Sequence, residues 1–274
     1  MTTQSGERAS ATYTHGHAES VLRSHRWRTA ANSAAHLVPL LRPGQRLLDL
    51  GSGPGTITAE LAALVAPGPV TAVEIDEAAA GLTRAGLAAA GVTDAVVVVA
   101  DAHELPFGEG SFDVAHAHQV LQHVADPVRV LAELRRVTRP GGVVAVRDSD
   151  YAGFAWHPQP PGLGEWLAAY RTAARANGGE PDAGRRLLGW AQAAGLREMT
   201  ATSSTWCFAD PAARQWWAGL WCERITGTAL GRQLLADGLA DADGIAAMVA
   251  GWQDWAASPD GWFSVLHGEL VARV

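Results

Sequence analysis

The 274-residue sequence contains no lysine, so all 21 of its basic side chains are arginines. Against 28 acidic residues they give a net charge of −7 at pH 7. Proteins that bind nucleic acids usually carry a basic patch or stripe. The balance therefore argues against a nucleic-acid partner, although Arg23, Arg26 and Arg28 cluster near the N-terminus. We expect a small-molecule partner instead.

Cysteine is also scarce, with only Cys207 and Cys222. Two cysteines favour reduced thiols in a cytosolic protein over a disulfide or a metal site, and His-Gly-His at 15–17 is too little to indicate a metal. Apolar runs such as 95–100 are far too short to cross a bilayer, and the first residues show no secretion signal. We therefore predict a cytoplasmic protein with no metal and no membrane partner, and the oligomeric state stays open.

Short apolar segments alternate with helical patterns through the first half of the chain. The apolar segments are 46–50, 70–75, 95–100, 111–119 and 143–148, and the helical ones are 56–65, 77–90 and 127–137. This alternation is typical of a parallel sheet with helices on both faces. Continuous apolar strands also fit burial on both faces. We therefore predict an α/β fold with a doubly wound, mostly parallel sheet.

The composition changes after Asp150, because ten of the 11 tryptophans lie beyond it. Segments 200–208 and 261–274 are predicted as antiparallel strands that finish the sheet, with helical insertions forming a cap. We divide the chain into three predicted parts. These are an N-terminal helical lid at 1–40, with one helical pattern over 19–41, a ligand-binding core at 41–150, and a tryptophan-rich substrate cap with two strands at 151–274.

The segment "LLDLGSGPGTIT" at 47–58 places Gly51, Gly53 and Gly55 directly after the first apolar strand. Glycine allows unusual backbone angles and the close approach of a ligand. The loop leads into a helix N-terminus, which favours negatively charged groups, at the sheet edge where α/β folds bind ligands. Dinucleotides and S-adenosylmethionine both use such loops. The spacing G-x-G-x-G differs from the dinucleotide fingerprint G-x-G-x-x-G and so disfavours a nicotinamide dehydrogenase.

Two acidic residues follow the next two strands. Glu74, in "VEID", can accept hydrogen bonds from both hydroxyls of a ribose, and Asp101 can accept one from an adenine amino group. The same residues could instead be ordinary exposed acids at strand ends. Their order after the glycine loop favours binding of a nucleoside.

The motifs "LLDLGSGPG", "VTAVEID", "VVVADAHELPFGEGSFDVAHAHQVLQHVADP" and "LAELRRVTRPGGVVAV" follow one another in order. Together they resemble class I S-adenosylmethionine-dependent methyltransferases, above all the group with the ubiquinone and menaquinone C-methyltransferases and many small-molecule methyltransferases. The resemblance covers roughly residues 40–150. It implies a Rossmann-like fold, S-adenosylmethionine as cofactor and S-adenosylhomocysteine as product.

The resemblance also implies roles for single residues. Glu74 would bind the ribose, and Ile75, which could equally belong to the core, would lie against the adenine. Asp49 would bond the amino group of the cofactor or only order the loop. The full set of cofactor-binding residues that it implies is Tyr13, Arg23, Asp49, Gly51, Ser52, Gly53, Gly55, Glu74, Ile75, Asp101, Ala102, His118 and Gln119.

Methyl transfer requires mainly positioning and exclusion of water, because the cofactor brings the electrophile. A protein base is needed only when the acceptor must lose a proton, as a phenol does. The candidate catalytic residues are His118, Tyr13 and His17, none of which has a diagnostic partner at a fixed spacing. His116, in the middle of the same strand, is predicted to be buried structure.

The tryptophans of the cap mainly indicate packing. Some of them could line an apolar pocket or hold a cation through their rings. The candidate substrate-binding residues are Trp156, Trp217 and Trp221. We therefore predict a methyltransferase that acts on a small hydrophobic or aromatic metabolite, in specialised metabolism. The alternatives are a quinone-ring C-methyltransferase and a cofactor-binding regulator without catalytic activity.

Overall fold

The computed structural model describes residues 19–274. The strands within them are β1 (Leu47–Leu50), β2 (Val70–Glu74), β3 (Val96–Val99), β4 (Phe112–His118), β5 (Thr138–Ser149), β6 (Ala155–His157), β7 (Arg197–Phe208) and β8 (Trp262–Arg273). The α-helices are α1 (Glu19–Arg26), α2 (Ala30–Ser33), α3 (Thr56–Val65), α4 (Glu77–Ala89), α5 (Pro127–Val137), α6 (Leu163–Ala176), α7 (Leu187–Ala193), α8 (Pro211–Gly227), α9 (Ala229–Ala236) and α10 (Ala242–Ala257). Short 3₁₀ turns lie at Val38–Leu40, Leu121–His123, Tyr151–Gly153 and Ala183–Arg186.

All eight strands form one sheet in which β3, β2, β1, β4, β5 and β8 lie side by side in that order. The first five run parallel, and β8 runs antiparallel to β5. Strand β7 pairs with the free side of β8, whereas β6 pairs with the first residues of β8, on the same side as β5. The predicted doubly wound, mostly parallel sheet and its two closing strands are confirmed.

The parallel strands are buried on both faces, as their continuous apolar sequences predict. In β5, Val143 and Ala145 pack on one face, and Val144 and Val146 pack on the other. Helix α3, with α2 beside it, covers the first face, and α5 and α7 cover the second. Such two-sided burial fixes the register of the strands and therefore the level at which each strand ends.

The single N-terminal helical pattern that we predicted over 19–41 is wrong in its continuity. Helix α1 ends at Arg26, and α2 begins after Thr29. The Thr29 hydroxyl accepts a hydrogen bond from the Asn32 amide (3.1 Å), and the Asn32 side chain accepts one from the Thr29 amide (2.8 Å). This reciprocal capping starts a new helix, so the chain bends between α1 and α2.

Helices α6, α8, α9 and α10 enclose a second hydrophobic core beside the β7–β8 end of the sheet. Four fully buried large aromatic side chains dominate it, and they are Trp166, Trp221, Trp252 and Trp255. Their rings pack edge to face or stacked; the centroids of Trp166 and Trp221 lie 4.5 Å apart. A buried ring of this size removes about 150–250 Å² from water, so these contacts stabilise the cap.

Strand β8 passes close to the backbone of the 3₁₀ turn at Ala183–Arg186. A Cβ atom on Gly268 would lie 2.1 Å from the carbonyl oxygen of Gly184. We expect Gly268→Ala to lower the free energy of unfolding by about 1–3 kcal/mol, because neither backbone can move freely. Urea unfolding followed by circular dichroism measures this value.

Gly219→Ala is the matched control, since Gly219 lies inside α8 with open space around its Cα. That substitution should raise the free energy of unfolding by about 0.5–1 kcal/mol. Equal effects of the two substitutions would contradict the close packing of β8 on the turn.

Candidate active site

A cavity of about 780 Å³ lies at the carboxyl ends of β1, β2, β3 and β4. The glycine loop, the acidic ends of β2 and β3, the segment after β4 and helix α1 line it. This is the edge at which ligands bind in open α/β sheets. We call this cavity the cleft.

The glycine loop requires its glycines, since Gly51, Gly53 and Gly55 all have positive φ, at +70°, +56° and +76°. A Cβ atom on Gly51 would lie 2.4 Å from a methyl carbon of Val120. The Gly51 amide donates to the carbonyl of Val73 (2.8 Å). Gly51, Ser52 and Gly53 therefore present the loop to the cleft. Gly55, directly before α3, does not line the cleft, because it packs against Thr83 and Leu87.

Glu74 lies on the cleft wall with only 9 % of its surface exposed. Its carboxylate accepts a hydrogen bond from the Gly53 amide at 2.5 Å, which ties it to the glycine loop. Burial raises the pKa of Glu74 above its usual value, and the hydrogen bond from Gly53 opposes that shift. A fixed acceptor in this place suits the two hydroxyls of a ribose.

Ile75 and Asp101 form the next part of the wall. Ile75 is 63 % exposed, so the alternative that it belongs to the core is wrong, and its apolar side chain is available to a flat ring. Asp101 accepts hydrogen bonds from the amide (2.9 Å) and ring nitrogen (2.7 Å) of His103. These contacts lower the pKa of Asp101 and fix its carboxylate at the cleft, next to Ala102.

Asp49 is buried, and both of its carboxylate oxygens are engaged. One accepts a hydrogen bond from the Thr58 hydroxyl (2.5 Å), and the other lies 2.7 Å from Nδ1 of His116. His116 itself is completely buried, as predicted. These contacts support the second of the two expectations for Asp49, because they join β1, β4 and α3 beneath the loop.

Helix α1 forms one side of the cleft through Leu22 and His25, and Arg28 follows it. The guanidinium of Arg224 on α8 anchors the helix by donating to the Ser24 hydroxyl at 2.6 Å. The sequence did not single out Leu22 or His25, since a contact with a distant loop leaves no local pattern.

The structure does not bring every expected lid residue to the cleft. Arg23 forms an ion pair with Glu223 of α8 on the outer side of α1, so it does not line the cleft. Tyr13 and His17 lie outside the described residues.

His118 ends β4 and lines the cleft with 5 % of its surface exposed. Neither of its ring nitrogens has a hydrogen-bond partner among residues 19–274. Burial, followed by the positive charges of Arg147 and Arg28, holds the pKa of His118 well below its usual range. The imidazole is therefore neutral and has hydrogen-bonding capacity that no described protein atom uses.

Gln119, the next residue, has the left-handed φ of +55°. Its side-chain oxygen accepts from Arg28 (2.8 Å), and its amide nitrogen donates to the Ser149 hydroxyl (2.8 Å). The same nitrogen lies 2.9 Å from Nε2 of His267. A strained conformation held by three partners is typical of a functional position.

The three tryptophans that we expected to bind substrate lie elsewhere. Trp217 and Trp221 are buried in the core of the cap, and Trp156 stacks on Phe263 with ring centroids 5.6 Å apart. None of them lines the cleft. Their helical spacing indicated one shared face, and that face packs inward against the sheet. Trp206 of β7, which the sequence did not single out, packs against His118 instead.

No group of three or more histidine, cysteine or acidic side chains within residues 19–274 is arranged to hold a metal ion. Over the same range, every helix is too short or too polar to span a membrane. Cys207 and Cys222 are both free thiols.

The cleft fits S-adenosylmethionine by three features of these residues. The bare backbone of the glycine loop and two acidic side chains lie along the cleft. The wall between those acids carries an exposed apolar side chain. The inner end carries the imidazole of His118, which has no partner among the described residues. The glycine backbone suits the charged amino-acid part of the cofactor, the two acids suit its ribose and the amino group of its base, and the apolar side chain suits the flat base. The imidazole of His118 is left for the reacting groups.

Comparison with known proteins supports this fit. The family model described as "Methyltransferase domain" matches residues 48–146. An uncharacterized methyltransferase of Schizosaccharomyces pombe is 32 % identical over 272 residues, which cover 95 % of this chain and 96 % of that protein. The ubiquinone/menaquinone biosynthesis C-methyltransferase UbiE of Vibrio vulnificus is 33 % identical over 175 residues, which cover 58 % of this chain and 66 % of that protein.

A solved structure shares the fold. Phosphoethanolamine N-methyltransferase 2 of Haemonchus contortus, in complex with phosphomonomethylethanolamine and S-adenosylhomocysteine, aligns with a TM-score of 0.53 at 18 % identity. The alignment covers 85 % of this chain and 49 % of that one.

We expect Glu74→Gln to weaken binding of S-adenosylmethionine by about tenfold, because hydrogen bonds to a charged acceptor contribute about 1.5–3 kcal/mol each. Isothermal titration calorimetry with S-adenosylmethionine and S-adenosylhomocysteine measures the change. Glu77→Gln is the control, since Glu77 is an exposed acid paired with Arg84 and does not line the cleft. Equal affinities of the two variants would show that Glu74 does not bind the ribose.

Proposed function

Because the chain belongs to the class I S-adenosylmethionine-dependent methyltransferases, we propose that it methylates a small hydrophobic or aromatic metabolite held beside His118. The observation that carries this proposal is the inner end of the cleft, where a buried neutral imidazole lacks hydrogen-bond partners and packs against the ring of Trp206. One polar group on an aromatic background suits an acceptor of mixed character. Specialised metabolism is the setting that we propose.

When bound, S-adenosylmethionine supplies a methyl group on a positively charged sulfur, which a nucleophile displaces in line with the departing thioether. The protein residues position the two reactants. Glu74 and the glycine loop fix the nucleoside and amino-acid ends, and α1 covers the cleft and excludes water. Such positioning can lower the activation free energy of methyl transfer by about 7–11 kcal/mol.

His118 acts on the acceptor as a neutral imidazole. Since its pKa lies well below its usual range, it holds a proton too weakly to be an efficient base near pH 7. A neutral imidazole still carries one N–H donor and one acceptor nitrogen. We assign it the orientation of a polar group of the acceptor at the reacting end of the cleft.

A quinone-ring C-methyltransferase is the second candidate function. Its support is the similarity to the Vibrio vulnificus UbiE protein, which covers 58 % of this chain. A hydroquinone is an aromatic acceptor with hydroxyl groups, so it is compatible with the same cleft.

A panel of phenols, hydroquinones, aromatic amines and carboxylic acids, incubated with methyl-labelled S-adenosylmethionine, tests the proposal by mass spectrometry. We expect transfer to at least one aromatic acceptor, and His118→Phe should lower kcat/KM about tenfold, because it removes one neutral hydrogen bond while keeping the ring. Calorimetry on the same variant should give an unchanged affinity for S-adenosylhomocysteine.

His157→Phe is the matched control, since His157 is an exposed cap residue that pairs with Asp260. It should leave kcat/KM unchanged. Transfer to no member of the panel, or identical kinetics of wild type and His118→Phe, would contradict the proposal.

A further inference from the structure

We propose that the inner end of the cleft binds the acceptor as an oxyanion, held by Arg28 and His118 with the charge of Arg147 behind them. The acceptor is then a phenol or an enol that reacts in its ionised form. This inference deepens the proposed function and rests on it for the position of the acceptor. It starts from a cluster of buried polar residues around Trp206, of which Arg28 and His118 line the cleft.

The cluster is organised around the ring of Trp206. The guanidinium carbons of Arg147 and Arg28 lie 5.1 Å and 5.6 Å from the centre of that ring, and the ring centroid of His118 lies 5.9 Å from it. The indole nitrogen of Trp206 donates to the Asn32 carbonyl (2.7 Å), which fixes the ring. Two cationic groups and the imidazole of His118 thus pack around the same indole ring at the end of the cleft.

His118 is the residue whose surroundings indicate that a ligand binds here. It is buried, it lines the cleft, and both of its ring nitrogens lack partners among the described residues. Buried polar groups of native proteins almost always have a partner. An acceptor oxygen at the inner end of the cleft would supply one by accepting the imidazole N–H.

Arg147 contributes a buried positive charge near the site. Only 1 % of its surface is exposed, and its Nε lies 3.2 Å from the Glu269 carboxylate and 3.1 Å from the Ser204 hydroxyl. Its two terminal nitrogens, Nη1 and Nη2, have no partner within residues 19–274. The carboxylate of Glu269 also accepts from the hydroxyls of Thr202 and Ser204, on the β7 side.

The cationic groups near the imidazole are the guanidinium groups of Arg147, which is paired with Glu269, and of Arg28. Burial is the largest cause of the lowered pKa of His118, and the positive charges of Arg147 and Arg28 follow it. His267 of β8 is likewise held neutral by burial, Arg147 and Arg28. Burial, above all, lowers the pKa of His36 to about 4, although His36 faces the carboxylate of Glu269.

A positive, poorly solvated environment stabilises an anion and repels a cation. The site therefore favours a phenolate or enolate and argues against the cationic acceptor that tryptophan rings in the cap would suit. In the reaction, an electron pair of the oxyanion forms the new bond to the methyl carbon, and the sulfur–methyl bond breaks with its pair left on sulfur. The phenol or enol gives its proton to solvent when it binds as the anion. In the transfer the negative charge of the acceptor and the positive charge of the sulfonium both disappear, so the transfer step itself needs no protein base.

Binding of 4-nitrophenol tests the inference, because its phenolate absorbs visible light and its phenol does not. The protein is first saturated with S-adenosylhomocysteine, and the probe is then titrated at several pH values. We expect the wild-type protein to bind the phenolate at least about tenfold more tightly than 4-nitrotoluene, which has the same shape and no charge. Equal binding of the two probes, or no binding of the phenolate, overturns the proposal.

Three variants separate charge from structure. Arg147→Lys keeps the charge and should retain the preference for phenolate. The double variant Arg147→Met/Glu269→Gln removes both partners of the buried pair, so no carboxylate is left buried alone, and should reduce the preference about tenfold. Arg84→Met removes an exposed arginine paired with Glu77 and should change nothing. A preference retained in the double variant, with thermal unfolding showing that it is folded, overturns the role of Arg147.

The outcome is distinguishable from a failure of the proposed function. Methyl transfer to neutral amines by a protein without phenolate preference would refute the oxyanion site and leave the proposed function standing. Phenolate preference without transfer to any acceptor would support the site and refute the proposed function.

Discussion

The ion pair between Arg147 and Glu269 is the interaction on which the arrangement of the rest depends. The two residues are directly opposite each other on β5 and β8, at the boundary between the parallel core and the strands that carry the cap. Both are buried, and removing one partner of such a pair costs about 3–5 kcal/mol. A slip of β8 by one residue would separate them and turn the Glu269 side chain to the opposite face, so the pair specifies how β8 joins the sheet.

The position of β8 in turn determines which side chains come together near His118. Because β8 is fixed, β7 lies beyond it and places Trp206 on the same face as His118 and His267. The cap helices follow β7 and carry Arg224, which holds α1 over the cleft. One buried pair thereby links α1, the helices after β7 and the part of the cleft at His118, although it does not itself line the cleft.

Much of the fold, and the placing of the glycine loop, Glu74 and Asp101 along one cleft, could be predicted from the sequence, because their determinants are local. The glycines of the loop, Glu74 and Asp101 each follow an apolar strand, and parallel strands end at one edge. The cluster around Trp206 could not be predicted in this way. Trp206, Arg147 and His118 come together only through the pairing of β8 with both β5 and β7, which spans more than 50 residues of sequence. The helical spacing of Trp217 and Trp221 indicated a shared face but could not say whether it faced a ligand or the core. The one available clue was Arg147, a charged residue inside the apolar strand "VVAVRDS".

In the proposed oxyanion site, positive charge near His118 has two opposing effects on an ionised acceptor. It raises the fraction of acceptor present as the reactive anion, but it also stabilises that anion and so lowers its nucleophilicity. Nucleophilicity generally falls by less than the gain in ionised fraction; for thiolates the slope is about 0.4–0.5. The net effect is therefore favourable for an acceptor whose own pKa lies above the working pH, as that of a phenol near 10 does. It is unfavourable for one that is already ionised, such as a carboxylic acid. The same charges would thus accelerate methylation of a phenol and slow that of a carboxylate, which ties the selectivity of the cleft to the acidity of its acceptor as well as to its shape.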